Sequence, residues 1–376
     1  MKEMKKLGDF IQPVDVRNND LSVTHLLGVS VEKRFIESIA NTIGTDFSKY
    51  KIVKKGQFTY IPDTSRRGDK IGIALLTDYD EGLVSNIYTV FEITDTSKLL
   101  PEYLILWFSR PEFDRYARFK SHGSVREIFD WDEMCRVELP VPPLNEQQKI
   151  VDTYNAITKR IQLKQKINEN LEKTAQCLFE ELTKDKENFE TKTIEEISDA
   201  VICGKTPSTT ESKYWGNEIP FITIPDMHGS NFIHTTERYL SIAGKQSQEK
   251  QTLPKNSICV SCIATVGLVS LTTTESQTNQ QINSIICKEG ISFYYVFMLL
   301  KQMTDELKRL GAGGSTTLNV SKSLFASIKL QLPNEENMNF FDKKVSSLFS
   351  KILINEKEIE KLEALKMTVV SQISKR

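Results

Sequence analysis

The chain has little of what metal and redox centres are built from: four histidines and six cysteines in 376 residues. The histidines, His25, His122, His228 and His234, are scattered rather than grouped. Cys259 and Cys262 form a lone Cys-x-x-Cys; a structural zinc site needs further ligands, and neither a second such pair nor a His-x-x-x-His is near. The pair falls in the strand-like run "SICVSCIATV", where alternation and burial account for both thiols. No metal site is expected. No apolar run approaches the roughly 20 residues that cross a bilayer, and "MKEMKKLGDFIQ" lacks the apolar core of a secretory signal. Cysteines without framework spacing suit a reducing compartment, so the expected location is cytoplasmic. Charge of one sign is missing too: the formal net charge of −1 argues against nucleic-acid binding by bulk attraction alone.

Catalytic signatures are also wanting. "CGKTPS", 203–208, contains Gly-Lys-Thr, yet Asp199 stands where a phosphate-binding loop needs its first glycine, and Pro207 would interrupt the helix that should follow. "GAGGST", 311–316, lacks a third glycine in register and follows a helical pattern, so it reads as a turn. Pro62-Asp63 and Pro225-Asp226 resemble the start of a nuclease site, but neither has an acidic-x-Lys partner nearby. The Asn-Pro-Pro-aromatic and Asp-Pro-Pro-aromatic tetrapeptides of amino-methyltransferases do not occur. The expectation is a chain that is not itself an enzyme.

What is present is a repeat, the first thing to seek in a chain of this length. "LPVPPLNEQQKIVDTYNAI", 139–157, and "LQLPNEENMNFFDKKVSSL", 330–348, each run from an alternating strand through proline and Asn-Glu into a helical pattern. A shift of 191 places Pro142 on Pro333, Gly123-Ser124 on Gly314-Ser315 and Tyr103 on Tyr294. The segments "KKLGDFIQPV" and "TKTIEEISDAV" match at an offset of 187.

The helical patterns carry matched seams. Ile150, Tyr154, Ile157, Ile161, Lys164, Asn168, Leu171, Ala175, Leu178 and Leu182 step by four and three, the a/d spacing of a coiled coil. Adding 191 gives Phe341, Val345, Leu348, Ile352, Asn355, Ile359, Leu362, Lys366, Val369 and Ile373. Polar residues in such a seam set register at some cost in stability. Two matched seams are best satisfied by packing on each other, antiparallel because a folded domain separates the helices. Asn145 and Asn334 offer N-cap oxygens, and Glu146, Glu335 and Glu336 suit the positive helix end. Each helix should be roughly 58 Å long.

Elsewhere "GQFTYIPDT", "KIGIALL", "NIYTVFEI", "NSICVSCIATVGLVSLTT" and "QINSIIC" read as strands. "PEYLILWFSRPEFDRYARF" and "SFYYVFMLLKQMTDELKRL" read as one helix in each half. The expected fold class is α+β: two similar globular domains separated by two long helices that form an antiparallel coiled coil. The expected boundaries are 1–143 for the first domain, 144–184 for the first helix, 185–333 for the second domain and 334–376 for the second helix.

Local charge says more than the total. Residues 51–70 carry Lys51, Lys54, Lys55, Arg66, Arg67 and Lys70 against Asp63 and Asp69, a balance of +4. Residues 110–126 reach +3 and residues 301–322 reach +2. Basic turns interleaved with Ser, Thr and His suit phosphates and base edges.

The layout of domain, long helix, domain, long helix resembles the specificity subunit of a type I restriction-modification system. So does the junction "LPVPPLNEQQKIV", and "GKTPSTTESKYWGNEIPFITIPDM" is similar to the start of that family's target-recognition domains. The second junction departs from the pattern, with no Gln-Gln pair and one proline fewer, and the first domain lacks the Gly-x-Thr-Pro loop. The resemblance implies a non-catalytic subunit whose domains each read one half of a bipartite site on double-stranded DNA, while the helices set their spacing. It also implies two methyltransferase subunits docked on the helices and translocase/endonuclease subunits beyond them. S-adenosylmethionine, ATP and Mg would sit on those partners, none on this chain. Candidate DNA-binding residues are then Arg66, Arg67 and Lys70 between strands, and Ser124 and Arg126 after a helix. In the second half they are Lys205, Thr206 and Ser208 of the Gly-Lys-Thr-Pro loop, Tyr214 and Trp215 behind it, and Ser315, Thr316 and Thr317 after the glycine turn. Competing readings are a coiled-coil interaction scaffold and a silent recognition cassette without a current partner.

Overall fold

The structure, a computed structural model, describes residues 4–38, 44–64, 70–122, 127–184, 189–312 and 318–373. The chain divides into two compact units, residues 1–161 with 362–376, and residues 162–361. Each unit holds one globular domain and a stretch of both long helices, which span Leu144–Leu182 and Glu335–Gln372.

The two domains are built on the same plan. In the first, a four-stranded sheet runs in the order Ile11–Val14, Thr89–Ile93, Phe58–Tyr60, Ile73–Leu75. In the second, the order is Ser198–Cys203, Ile282–Cys287, Ile258–Ser261, Val269–Thr272, with Phe232–Ile233 added at the edge. Strand for strand, the first four positions correspond. In each domain a short strand near its start also pairs antiparallel with the strand leading into a long helix: Met4–Lys6 with Glu138–Pro140, and Glu190–Thr193 with Lys329–Leu332. Proline follows or closes each of these latter strands, which ends the ladder and releases the chain into the helix.

Buried aromatics fill both cores. Phe58, Tyr60, Phe91, Phe108, Phe113 and Phe129 pack in the first unit, and Tyr295, Phe297 and Phe325 in the second. Tyr103 donates its hydroxyl to the Pro140 carbonyl at 3.0 Å, and Tyr295 donates to the Gln331 carbonyl at 2.9 Å. The partner of Tyr103 in the repeat is therefore Tyr295, one residue beyond the Tyr294 expected from a uniform shift; Tyr294 instead stacks on Phe349.

Each expected domain helix is split. Pro101–Phe108 and Pro111–Lys120 are separate because Pro111 lacks an N–H and holds Arg110 extended. Phe293–Gln302 and Thr304–Gly311 break at Met303 without a proline. The apolar run 256–273 is a hairpin rather than one strand, with positive φ at Ala264 and Gly267 in its turn.

The long helices pair within each unit, and Ile150, Tyr154, Ile157, Ile161, Leu171, Leu178, Leu182, Phe341, Val345, Leu348, Ile352, Ile359, Leu362, Val369 and Ile373 are all buried or half-buried. In the second unit Phe179 lies 6.0 Å from Phe341, whereas Lys164 meets Asn355, so the helices run antiparallel. The polar members of the seam are partnered. Lys164 Nζ donates to Asn355 Oδ1 at 3.1 Å and pairs with Glu358 at 2.7 Å, and Asn355 Nδ2 donates to Asn168 Oδ1 at 2.8 Å. In the first unit Lys366 sits over the Tyr154 ring.

The helix entrances differ. Asn334 caps the second helix by accepting the Asn337 N–H at 2.9 Å. The first helix begins at Leu144, so Asn145 lies within its first turn rather than at the cap, and Pro143 supplies the carbonyl for Glu146 and Gln147. Gln147 is fully buried: it accepts the Leu100 N–H at 2.9 Å and donates to the Lys98 and Pro142 carbonyls, each at 2.8 Å. One repeat later stands Met338, also buried. The first glutamine of the pair missing from the second junction is thus a polar lock replaced by an apolar residue.

Candidate nucleic-acid interface

Loops gather at one end of each main sheet. In the first domain Val14 pairs with Val90, and Tyr60 pairs with both Ile73 and Thr89, so the segments beyond these residues open at the same end. A small antiparallel tie forms there. Asp63 and His122 both bridge Ile128, the Thr64 N–H donates to the Glu127 carbonyl at 3.0 Å, and Thr64 Oγ1 donates to Ser121 Oγ at 2.9 Å. Arg118 forms an ion pair with Glu127. The tie joins Thr64, which leads to Arg66 and Arg67, to His122 and Glu127, which flank Ser124 and Arg126; those four candidates lie outside the described residues. Lys70 is exposed. Next to it, the Ile71 N–H donates to Asp114 Oδ1 at 3.1 Å, and Lys33 Nζ donates to the same oxygen at 2.5 Å and to the Ile71 carbonyl at 2.6 Å. Burial lowers the Lys33 pKa, while Asp114 acts against that shift and Lys70 adds to it. This buried pair fixes where the loop returns to the sheet.

In the second domain Cys203 pairs with Asn283 and Ser261 with Ile282, which brings the loops after 203 and 261 and the turn before 282 to one end. The Gly-Lys-Thr loop packs directly on that turn. The Gly204 N–H donates to the Ile282 carbonyl at 3.1 Å and the Lys205 N–H to the Thr278 carbonyl at 2.9 Å. A Cβ at Gly204 would stand 2.2 Å from the Asn279 carbonyl oxygen, so only glycine permits this approach. Thr206 Oγ1 donates to Gln280 Oε1 at 2.8 Å. Lys205 and Ser208 are exposed. The Ser208 carbonyl accepts the Trp215 Nε1–H at 3.2 Å. Trp215 is held between the Arg238 guanidinium, 3.5 Å from its ring centre, and Phe221, so it braces the loop from behind. Tyr214 is half-buried, its carbonyl accepting the Ser241 N–H at 3.0 Å. Ser315, Thr316 and Thr317 lie outside the described residues; their flanks, Ala312 and Leu318, join the same end through Asn319, which bridges Ile263.

Side chains not singled out from the sequence belong to these surfaces. Phe119 is 79% exposed at the end of helix Pro111–Lys120, beside the tie. Gln280 is exposed on the turn, and Lys322 is near enough to Cys203 to oppose the upward pKa shift that burial gives its thiol. The polar run "TESQTNQQ" ahead of a strand was the available signal for Gln280. Cys259 and Cys262 lie in the core, where burial pushes their thiols up to about 12 and about 11, the state of packed thiols rather than nucleophiles. Among the described residues no cluster of His, Cys, Asp and Glu could hold a metal ion, and no helix is long and apolar enough to cross a membrane.

A family model described as the type I restriction modification DNA specificity domain matches twice, over residues 2–173 and 186–364. The chain belongs to that family. It is 32% identical to the type I restriction enzyme HindI specificity subunit of Haemophilus influenzae, over 84% of this chain and 85% of that one. It is 30% identical to the MjaIX specificity subunit of Methanocaldococcus jannaschii over 46% of this chain and 40% of that one. The fold is shared with the crystal structure of a type I restriction-modification S subunit from M. genitalium, at a TM-score of 0.63 and 14% identity, covering all of this chain and 96% of the other. Specificity subunits are not catalytic, which agrees with the absence of catalytic signatures from the sequence. Family membership also sets aside the plain scaffold reading.

Proposed function

We propose that this specificity subunit directs a type I restriction-modification complex to a bipartite, asymmetric site on double-stranded DNA. Residues 1–143 and 185–333 each read one half, and the helices of 144–184 and 334–376 fix the interval and dock two methyltransferase subunits. The observation that carries this reading is the duplicated loop end: two domains of one sheet order open their loops at the same end of the main sheet, with Lys70 exposed there in the first and Lys205 and Ser208 in the second. Their divergence there fits two different half-sites. Lys70 and Lys205 serve phosphates, as do Ser208 and the Ser and Thr residues at 124 and 315–317, while Arg66, Arg67 and Arg126 are suited to guanine edges. Thr206 ties the loop to Gln280 on the adjoining turn, and Tyr214 and Trp215 support the loop from within. S-adenosylmethionine, ATP and Mg belong to the methyltransferase and translocase/endonuclease partners, and the complex works in the cytoplasm. A near-neutral subunit suffices because those partners supply much of the cationic surface.

The test is a genome-wide map of adenine methylation in the native host with and without the gene. Loss of one motif made of two short blocks around an unspecified spacer is the expected result. An unchanged map, with the methyltransferase partner expressed, would instead mark the chain as a silent cassette.

A further inference from the structure

The turn at residues 279–281 presents one side chain whose chemistry is specific. Gln280 is exposed, and its Oε1 already accepts the Thr206 hydroxyl at 2.8 Å, which fixes the plane of the amide. A carbonyl oxygen has two lone pairs, so one remains open, and both Nε2 hydrogens remain for a ligand. The backbone beneath is stiff. Cys203 Sγ contacts the Gln280 carbonyl at 3.8 Å, the Gln281 N–H donates to Asn279 Oδ1 at 3.1 Å, and the Gly204 and Lys205 N–H groups tie the two loops together through the Ile282 and Thr278 carbonyls. Lys205, next to Thr206 in the loop, and Lys322, near enough to act on the Cys203 thiol, are both exposed. An amide with a free acceptor pair and free donors matches one base edge in the major groove: adenine, which offers an N6 amino donor beside an N7 acceptor.

We propose that Gln280 reads an adenine in the half-site of the second domain, accepting from N6 and donating to N7, with Thr206 as its positioning residue. The inference rests on the DNA-specificity reading above and adds a base identity to it. Lysine at 205 and 322 would hold the adjacent phosphates and carry no sequence information.

The experiment uses the full-length protein assembled with its methyltransferase subunits, and measures relative affinity for DNA randomised at each position of the recognised site. One position of the second domain's half-site should prefer adenine by about tenfold or more. Gln280→Ala should flatten that position and leave the others unchanged, and Gln280→Glu should move the preference toward cytosine, whose N4 amino group donates. Thr206→Val should weaken the same preference without moving it. Replacing that adenine by 7-deazaadenine should weaken the wild-type complex but not the Gln280→Ala complex; this arm needs no variant to fold for its wild-type half. An unchanged preference in Gln280→Ala, or an equal loss at every sequence as for a phosphate contact, would overturn the assignment while leaving the specificity reading intact. A wild-type complex that ignores sequence would overturn both.

Discussion

Single buried polar residues decide how firmly neighbouring segments of the chain are seated. Gln147 uses its whole amide on three backbone groups, so Gln147→Ala takes the partner from an N–H and two carbonyls beside the core. The expected loss is about 3 kcal/mol, read as a lower midpoint in denaturant unfolding, with Gln147→Met recovering part of it through packing. Asp114 holds Lys33 and the Ile71 N–H together, and Asp114→Ala would leave a buried ammonium unpaired at a cost of about 3–5 kcal/mol. Glu356 gives a pH signature. It accepts the Asn231 N–H at 3.2 Å and the Ser230 hydroxyl at 3.1 Å, and burial raises its carboxyl pKa above the usual range. A carboxyl raised on folding favours the folded state while protonated, and that contribution is lost as pH rises through the raised pKa. Stability measured from pH 7 down to pH 5 should therefore fall less steeply, or rise more, in the wild type than in Glu356→Gln. Parallel curves would count against the assignment.

The long helices are the element most legible in the sequence, because a seam of threes and fours has one periodic solution and needs no knowledge of what surrounds it. Every apolar seam position is buried or half-buried, and three of the four polar exceptions, Lys164, Asn168 and Asn355, meet one another, while Lys366 lies over the Tyr154 ring. Replacing both Asn168 and Asn355 by leucine should raise the melting temperature while loosening register, visible as mixed species in size-exclusion chromatography with light scattering. The domain sheets were legible only in outline. Strands such as Phe58–Tyr60 are buried throughout, so alternation does not mark their ends, and the hairpin at 262–268 turns on Ala264 in a conformation that composition does not announce. The helix break at Met303 has no breaker residue to betray it. Of the described candidates, Lys70 was read from a basic cluster and Lys205 from the Gly-Lys-Thr-Pro loop; neither signal reaches Gln280, whose role depends on a contact across 74 residues of chain.

For the molecule as a whole, the proposed function makes the helix pair a ruler. Inserting one heptad into each long helix at matching seam positions adds about 10 Å, or about three base pairs, so the methylated motif should gain a longer spacer or vanish from the map. An unchanged motif would end the ruler idea. Lys205→Ala should weaken binding to all sequences alike and lower the salt dependence by about one counterion, in contrast to the base-selective loss expected at Gln280. Finally, Lys164 and Asn355 touch although they are 191 residues apart, the interval of the repeat itself. Each is therefore in contact with its own counterpart. Two identical halves meeting in this way would have to set lysine against lysine or asparagine against asparagine at that crossing. Carrying both halves on one polypeptide lifts the requirement that the central residue be compatible with itself, and lets a charge be matched there by an amide and by Glu358.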